Sequence, residues 1–239
     1  MKTMVVADFT VMKSTLAQLA GICAAVALVM GVVMDTMAGA VAVIAAMTPF
    51  MFLFSLCAYD EQNGWERFRL TLPLSRRQVA FGRYATMAVL CAAVALFSLV
   101  IGFLVVAVAS WASEGLGLDV PLGLTWAESS GAAMTASALL SIAVILAACA
   151  VALPLLMRFG MTRATRFVPL VVVLALALGV GLFSDHLPDS GAVFGFLQWL
   201  EAGNGANLVL FAFGCLAVAL ALFAASAPLA AKFYEQREL

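Results

Sequence analysis

The chain reads YDEQNGWERFRLTLPLSRRQVAFGRY at residues 59–84, a polar segment that separates two long apolar stretches. Five arginines lie within this segment. In the whole chain of 239 residues, 65% of the residues are hydrophobic and only 10% are charged. Because soluble domains carry about a quarter charged residues, the composition indicates an integral membrane protein. The segment then marks a place where the chain leaves the membrane.

Six apolar runs have the length of a membrane-spanning helix, which needs roughly 20 apolar residues. They cover residues 16–34, 38–57, 85–110, 131–157, 167–183 and 206–225. The sequence therefore predicts an all-α membrane protein, with six transmembrane helices in a single domain of residues 1–239. An even number of crossings places both termini on the same side of the membrane.

The basic residues indicate which side this is. All 12 Lys and Arg residues precede the first run, lie within residues 59–84, or follow the fourth and sixth runs. Because basic loops stay in the cytoplasm, both termini and segment 59–84 are predicted to be cytoplasmic. A cleaved signal peptide is the rival interpretation of the N-terminus, but the first apolar run begins only after Asp8 and Lys13.

The chain offers little for catalysis or for metal binding. Its five cysteines are scattered along the runs, it has one histidine, and it contains neither a phosphate-binding loop nor a nucleophile elbow. No run carries an ionisable residue near its middle, which disfavours ion coupling. We therefore expect no catalytic residue, no metal site, no cofactor on this chain and no nucleic-acid partner.

The apolar runs contain hydroxyl side chains such as Thr48, Ser98 and Thr135, and two prolines, Pro49 and Pro154. Small and hydroxyl residues let membrane helices pack closely, although the same residues could line a mildly polar path. The prolines favour kinks. Such kinks act as hinges in some helices and only shape the helix in others.

Residues 1–15 have the pattern of an amphipathic helix that lies at the membrane surface. One arc of this helix carries Met4, Val5, Phe9, Met12 and Leu16. Asp8 projects into that arc, so either the helix is tilted or Asp8 pairs with a basic residue of the cytoplasmic loops. A frayed tail is the alternative.

Segment 59–84 divides into two parts. Trp65, Phe68 and Leu72 recur at i, i+3 and i+7, which predicts a short amphipathic helix over about residues 61–71. Leu72-Pro73 then ends this helix, and Ser75 with Gln78 three residues later has the spacing of a capping box. The cap predicts a new helix that runs through Arg83 into the third span. A basic turn on lipid phosphates would explain the charge, but it does not require Trp65.

The acidic residues, the tryptophan, the Arg-containing helix and LPLSRRQV, in this order, resemble the first cytoplasmic loop of bacterial type-2 ABC transporter permeases. The resemblance implies a multi-pass protein of the bacterial plasma membrane, in which segment 59–84 holds a coupling helix that docks into a separate ATP-hydrolysing subunit. Residues 1–14 would be the connecting helix. ATP and Mg would bind to the partner, and two permeases, identical or different, would form the working dimer.

The resemblance also assigns site residues. The candidate ATPase-coupling residues are Glu61, Trp65, Glu66, Arg67, Phe68 and Arg69. The candidate elbow and helix-cap residues are Pro73, Ser75, Arg76, Arg77 and Gln78. We expect Trp65 and Phe68 to transmit a push from the ATPase, and Arg67 and Arg69 to orient the helix on acidic groups of the partner.

Residues 184–206 form the long outer connection. In the family this region forms short re-entrant helices that close the outer gate, which makes Phe194, Phe196 and Trp199 candidate gate residues here. An ordinary interfacial loop fits the sequence as well.

The function implied is that of the permease subunit of an ATP-driven exporter, which is not itself an enzyme. A hydrophobic or amphipathic substrate, such as a peptide, lipid or drug, would suit an apolar path. The alternative is a non-transporting assembly or sensor protein that binds a different cytosolic partner through the same loop. A membrane-embedded enzyme is disfavoured because the runs lack convergent polar groups.

Overall fold

The computed structural model describes residues 2–33, 36–62, 75–116, 124–126, 129–159, 195–196, 198–200, 202–203 and 205–236. Within these ranges the fold is built from six main helices. They are α1 (Lys2–Val11), α2 (Lys13–Val33), α3 (Met37–Gln62), α4 (Arg76–Leu116), α5 (Gly131–Phe159) and α6 (Ala206–Glu235).

Five of these helices, α2 to α6, are long and apolar enough to cross a membrane. They correspond to the first four and the last of the six predicted runs. The remaining run, residues 167–183, lies outside the described residues. The all-α prediction is therefore confirmed for the described part of the chain, while the count of six crossings stays a prediction.

The helix starts agree with the sequence better than the helix ends. Helix α5 begins at Gly131 and α6 at Ala206, as predicted. Helix α3 continues to Gln62, beyond the predicted end at residue 57, and α6 continues to Glu235. Glu61 therefore belongs to α3, so the predicted short helix does not begin at residue 61; its remaining residues, 63–71, lie outside the described residues. Backbone hydrogen bonding does not need apolar side chains, so a helix can continue past the last apolar turn.

The N-terminal region forms two helices, where the sequence predicted one helix over residues 1–15. The break falls at Met12, between α1 and α2. Met4, Asp8 and Met12 follow each other at intervals of four residues and are all buried, so they form one face of the N-terminal region. Phe9 stacks on Phe52 of α3, with ring centroids 6.0 Å apart. This face therefore packs against protein and not against lipid.

The centre of the fold is α3, which packs against α2, α4 and α5. Its side chains Ile44, Phe52 and Leu56 are almost completely buried. Helices α3 and α4 approach closely at Gly102, where a Cβ atom would lie 2.5 Å from Cγ2 of Val41. The most extensive helix pair is α5 with α6.

The hydroxyl groups within the long helices bond mainly to their own helix. Ser98, Thr135 and Ser137 each donate to the carbonyl oxygen three residues earlier, at 2.9 Å. These bonds favour the helix-packing interpretation over a polar path lining. Pro49 lies inside α3 and Pro154 inside α5, as their positions in the apolar runs indicated.

Candidate functional site

The two ends of the polar segment are described by the structure, and its middle is not. Glu61 lies exposed at the end of α3, and Ser75, Arg76, Arg77 and Gln78 lie at the start of α4. The other predicted coupling and elbow residues lie outside the described residues; they are Trp65, Glu66, Arg67, Phe68, Arg69 and Pro73. Residues 63–74 are called the coupling loop below.

The start of α4 has the predicted capping box. The backbone N–H of Gln78 donates to Oγ of Ser75 at 3.2 Å, and the backbone N–H of Ser75 donates to Oε1 of Gln78 at 3.1 Å. Each side chain therefore satisfies a backbone donor that the first helical turn leaves free. The position at which the chain enters α4 is fixed by these two bonds.

The two arginines after Ser75 bind the end of α6. Nη1 of Arg76 donates to the carbonyl oxygens of Glu235 at 3.0 Å and Tyr234 at 3.5 Å. Nε of Arg77 forms an ion pair of 2.7 Å with Oε1 of Glu235 on the protein surface. A cation favours the C-terminal end of a helix, where carbonyl groups lack partners. No local pattern in the sequence indicates this contact, because about 158 residues separate its partners.

A buried ion cluster joins α1, α3 and α4. The guanidinium of Arg83 pairs with Asp60 near the end of α3, and its Nη1 lies 3.5 Å from Oδ2 of Asp8 in α1. The hydroxyl of Thr86 donates to Oδ2 of Asp8 at 3.1 Å. Only 5% of Arg83, 2% of Asp8 and 5% of Asp60 is exposed. Of the two alternatives for Asp8, a tilted helix or a pairing with a basic residue, the structure shows the pairing, whereas the part played by Asp60 was missed.

Tyr84, about two turns after Arg77 in α4, continues the contact with α6. Its hydroxyl lies 2.9 Å from Oγ of Ser226, and its ring lies 4.7 Å from that of Phe223. Arg158, near the end of α5, lies over the ring of Phe233 in α6 at 5.0 Å. The basic end of the fold is therefore defined as α1, the start of α4, and the C-terminal turns of α3, α5 and α6.

The opposite end of the fold contains the candidate gate residues. Phe196 stacks on Trp199 with centroids 6.1 Å apart, and it contacts Phe211 of α6 edge to face at 5.5 Å. Nδ2 of Asn207 donates to the carbonyl of Trp199 at 2.7 Å. Two of the three predicted gate residues are thus brought together, while Phe194 lies outside the described residues.

The opposite end is otherwise held by hydroxyl groups and by one tight glycine contact. Oγ of Ser129 accepts from the backbone N–H of Met37, and Oγ of Ser110 accepts from that of Trp126, both at 3.2 Å. Gly205, before α6, has φ +84°, and a Cβ there would lie 2.6 Å from Cβ of Ala132. A side chain at this position would be strained both by its backbone and by its neighbour.

An open apolar groove of about 590 Å³ runs between α5 and α6. Its walls include Leu140 and Val144 of α5, and Phe211, Val218 and Leu222 of α6. Phe211 also contacts the candidate gate residue Phe196. Among the described residues, no group of His, Cys, Asp and Glu side chains could hold a metal ion.

Comparison with known proteins matches the chain to a family model described as ABC-2 family transporter protein, over residues 3–235. No curated protein and no solved structure matches the chain. The match includes residues 59–84 and all five apolar helices, and these helices agree with a multi-pass membrane protein. A member of this family is a membrane transport component and is not itself catalytic. The chain therefore belongs to the ABC-2 transporter family, as a permease component of an ABC transporter.

Proposed function

We propose that this permease is the membrane-spanning subunit of an ATP-driven exporter, and that a separate ABC ATPase docks on residues 59–84. The observation that carries the proposal is the ion pair between Asp60 and Arg83. It holds together the two helices on either side of the coupling loop. A movement of the loop is therefore delivered to α3 and α4 together.

The charge distribution supports a cytoplasmic position for the basic end. Arg76, Arg77, Arg83, Arg158 and Lys232 all belong to this end. The opposite end carries the exposed tryptophans Trp111, Trp126 and Trp199, as is typical of side chains at a membrane interface. Together with the fifth apolar run at residues 167–183, this arrangement supports six crossings with both termini in the cytoplasm.

The energy for transport would come from the partner. The sequence contains no phosphate-binding loop, so ATP and Mg would bind to the ATPase. In the proposed contact, Trp65 and Phe68 insert as an apolar knob, and Arg67 and Arg69 pair with acidic groups of the ATPase. This division of roles matches the energetics of interfaces, where buried aromatic and Arg side chains carry most of the binding energy.

The groove between α5 and α6 supports a hydrophobic or amphipathic substrate, such as a lipid, peptide or drug. The walls named above are all apolar, and sites that bind such molecules are lined predominantly by hydrophobic and aromatic side chains. Phe194, Phe196 and Trp199 would close the path at its outer end. Two permeases, identical or different, would be needed to enclose the substrate between them.

The docking experiment uses the full chain, co-expressed with the ABC ATPase of an adjacent reading frame. We expect the two proteins to co-purify, and Trp65→Ala together with Arg67→Ala to weaken the association at least tenfold, since hot-spot residues cost about 2 kcal/mol or more when truncated. Trp111→Ala is the matched control, because Trp111 is an exposed tryptophan of the opposite end. Unchanged association and ATP turnover in the double variant would refute the docking site.

The same experiment separates the proposal from an assembly or sensor role. In an exporter, the complex in vesicles accumulates substrate inside the lumen when ATP is added on the side of the basic end. A complex that binds the ATPase firmly and moves no member of a panel of lipids, peptides and dyes would favour the assembly or sensor role.

A further inference from the structure

We propose that Arg83 is a positioning residue which, through Asp8 and Asp60, makes α1 and the two ends of the coupling loop a single moving unit. The inference rests on the proposed function, in which an ATPase moves this loop. It adds that α1 moves with α4 and does not slide over it.

The cluster lies where the three elements converge. Asp60 is three residues before the coupling loop, Arg83 is nine residues after it, and Asp8 is in the middle of α1. One guanidinium contacts both carboxylates. A force on the loop that moves Asp60 and Arg83 would therefore be passed directly to Asp8.

The chemistry of the cluster suits a rigid connection between the helices. Arg presents five donors in a planar fork, so it can serve two carboxylates in fixed directions, whereas the ammonium of Lys is a compact point charge. Burial lowers the screening by water and salt, so that the attraction is stronger than on the surface. Replacement of a buried ion pair by apolar residues often leaves stability unchanged or raises it. Positioning therefore explains this cluster better than stability does.

The packing around the cluster leaves α1 little freedom to slide. Gly82 permits the close approach of α1, because a Cβ at this position would lie only 3.2 Å from Cβ of Met4. From the next turn of α4, the hydroxyl of Thr86 shares its one proton between Oδ2 of Asp8 and the carbonyl oxygen of Gly82, each 3.1 Å away. The contacts of Met4 and Asp8 with α4 thus lie one helical turn apart and act together.

The Gly82 contact provides the test. In a full chain whose five native cysteines are replaced by alanine, Met4→Cys with Gly82→Cys should form a disulfide under mild oxidation. The two Cβ positions are 3.2 Å apart, so they need to separate by only a few tenths of an ångström to reach the spacing of about 3.5 to 4.5 Å found in disulfides. We expect Asp8→Asn, and separately Arg83→Lys, to slow this cross-linking at least about fivefold, the lower limit of typical coupling between sites. An unchanged rate in both variants would overturn the proposal.

Two controls separate positioning from a general loss of stability. Arg77→Lys alters an arginine of the same helix whose ion pair is on the surface, and should leave the cross-linking rate unchanged. Gly102→Ala disturbs the α3–α4 contact at Val41, so it should lower the melting temperature without slowing cross-linking. If Gly102→Ala slows cross-linking as much as Asp8→Asn does, the effect is one of stability and the proposal fails.

The second arm uses the complex with the ATPase. If α1 and α4 move as one unit, the disulfide formed by the Met4→Cys and Gly82→Cys pair should leave ATP turnover unchanged, and it should restore the turnover that Asp8→Asn lowers. A loss of turnover on oxidation, reversed by dithiothreitol, would show that α1 moves relative to α4 and would overturn the proposal. An ATPase that does not bind the wild-type chain would contradict the proposed function instead. The cross-linking rates of the first arm would still test whether Arg83 holds α1 against α4.

Discussion

The basic end and the opposite end of this permease are held together by different kinds of contact. At the basic end, charged side chains reach across helices: Arg83 pairs with Asp8 and Asp60, and Arg77 with Glu235. At the opposite end, serine hydroxyls bond to backbone N–H groups, and aromatic rings stack. The ion pairs between residues that the structure describes all lie at the basic end.

This difference is informative because the two kinds of contact resist movement differently. A buried ion pair that loses its partner is costly, so a cluster of such pairs favours one geometry. The stacked rings of Phe196 and Trp199 are each 42% exposed, so this contact can be exchanged for water or lipid at a lower cost. The basic end is therefore suited to transmit a movement, and the opposite end is suited to change its shape.

The two ends should differ most in how readily a reagent outside the cell reaches them. In a chain without native cysteines, Glu114→Cys at the opposite end should react with a membrane-impermeant maleimide on intact cells, and Gln236→Cys at the basic end should react only after lysis. Both positions are exposed. The reverse pattern would contradict the proposed orientation, and labelling of both positions would contradict the placement of the two ends on opposite sides.

The next effect concerns the charge cluster itself. Arg83→Met leaves Asp8 and Asp60 buried without their shared cation, and should lower the free energy of unfolding by about 3 to 5 kcal/mol. The measurement is unfolding in detergent micelles, followed by circular dichroism. The control is Arg77→Met on the same helix, whose surface ion pair is screened by solvent. If the free energy of unfolding falls equally in the two variants, buried and surface charges at the basic end do not differ in their contribution to stability.

At the opposite end, the strongest effect should come from backbone geometry and not from charge. Gly205→Ala forces an L-residue to a positive φ, which costs about 1 to 2 kcal/mol, and also places Cβ against Ala132. Gly214→Ala is the control, since no atom lies within 4 Å of a Cβ there, and a helical Gly→Ala exchange gains about 0.5 to 1 kcal/mol. In the same detergent unfolding assay, the free energy of unfolding should fall for Gly205→Ala and rise for Gly214→Ala.

The smallest effect concerns the cap of α4. Ser75→Ala removes the acceptor for the N–H of Gln78 and should lower the free energy of unfolding by about 1 kcal/mol. The control is Ser113→Ala near the other end of the same helix, where the hydroxyl donates to the carbonyl of Ser110 and contributes little. A loss at Ser113 as large as that at Ser75 would mean that the capping box does not fix the helix start.

Local features of the fold were predictable from the sequence to different degrees. The capping box of Ser75 and Gln78 was predictable because its partners are three residues apart. The helix starts at Gly131 and Ala206 were predictable because polar and glycine residues precede the apolar runs. The end of α3 was missed, because Glu61 and Gln62 are polar and still continue the helix.

The candidate site was predictable only in its local part. A charge on an apolar arc needs a partner or a route to water, so the sequence left two alternatives for Asp8, a tilted helix or a basic partner. Neither Arg83 as that partner nor Asp60 as the third member was evident, since both lie far from Asp8 in sequence. The contact of Arg76 and Arg77 with the end of α6 was missed for the same reason.

Composition, run length and capping patterns act over a few turns of helix, so the amino-acid sequence alone indicates a helical membrane protein with a polar segment at residues 59–84, and the likeness of that segment to ABC permeases indicates the family. The structure was needed to see that α1, α3 and α4 meet at Arg83 and that α4 binds the end of α6. These contacts depend on how the helices pack, and helix packing is set by the fit of side chains from distant parts of the chain.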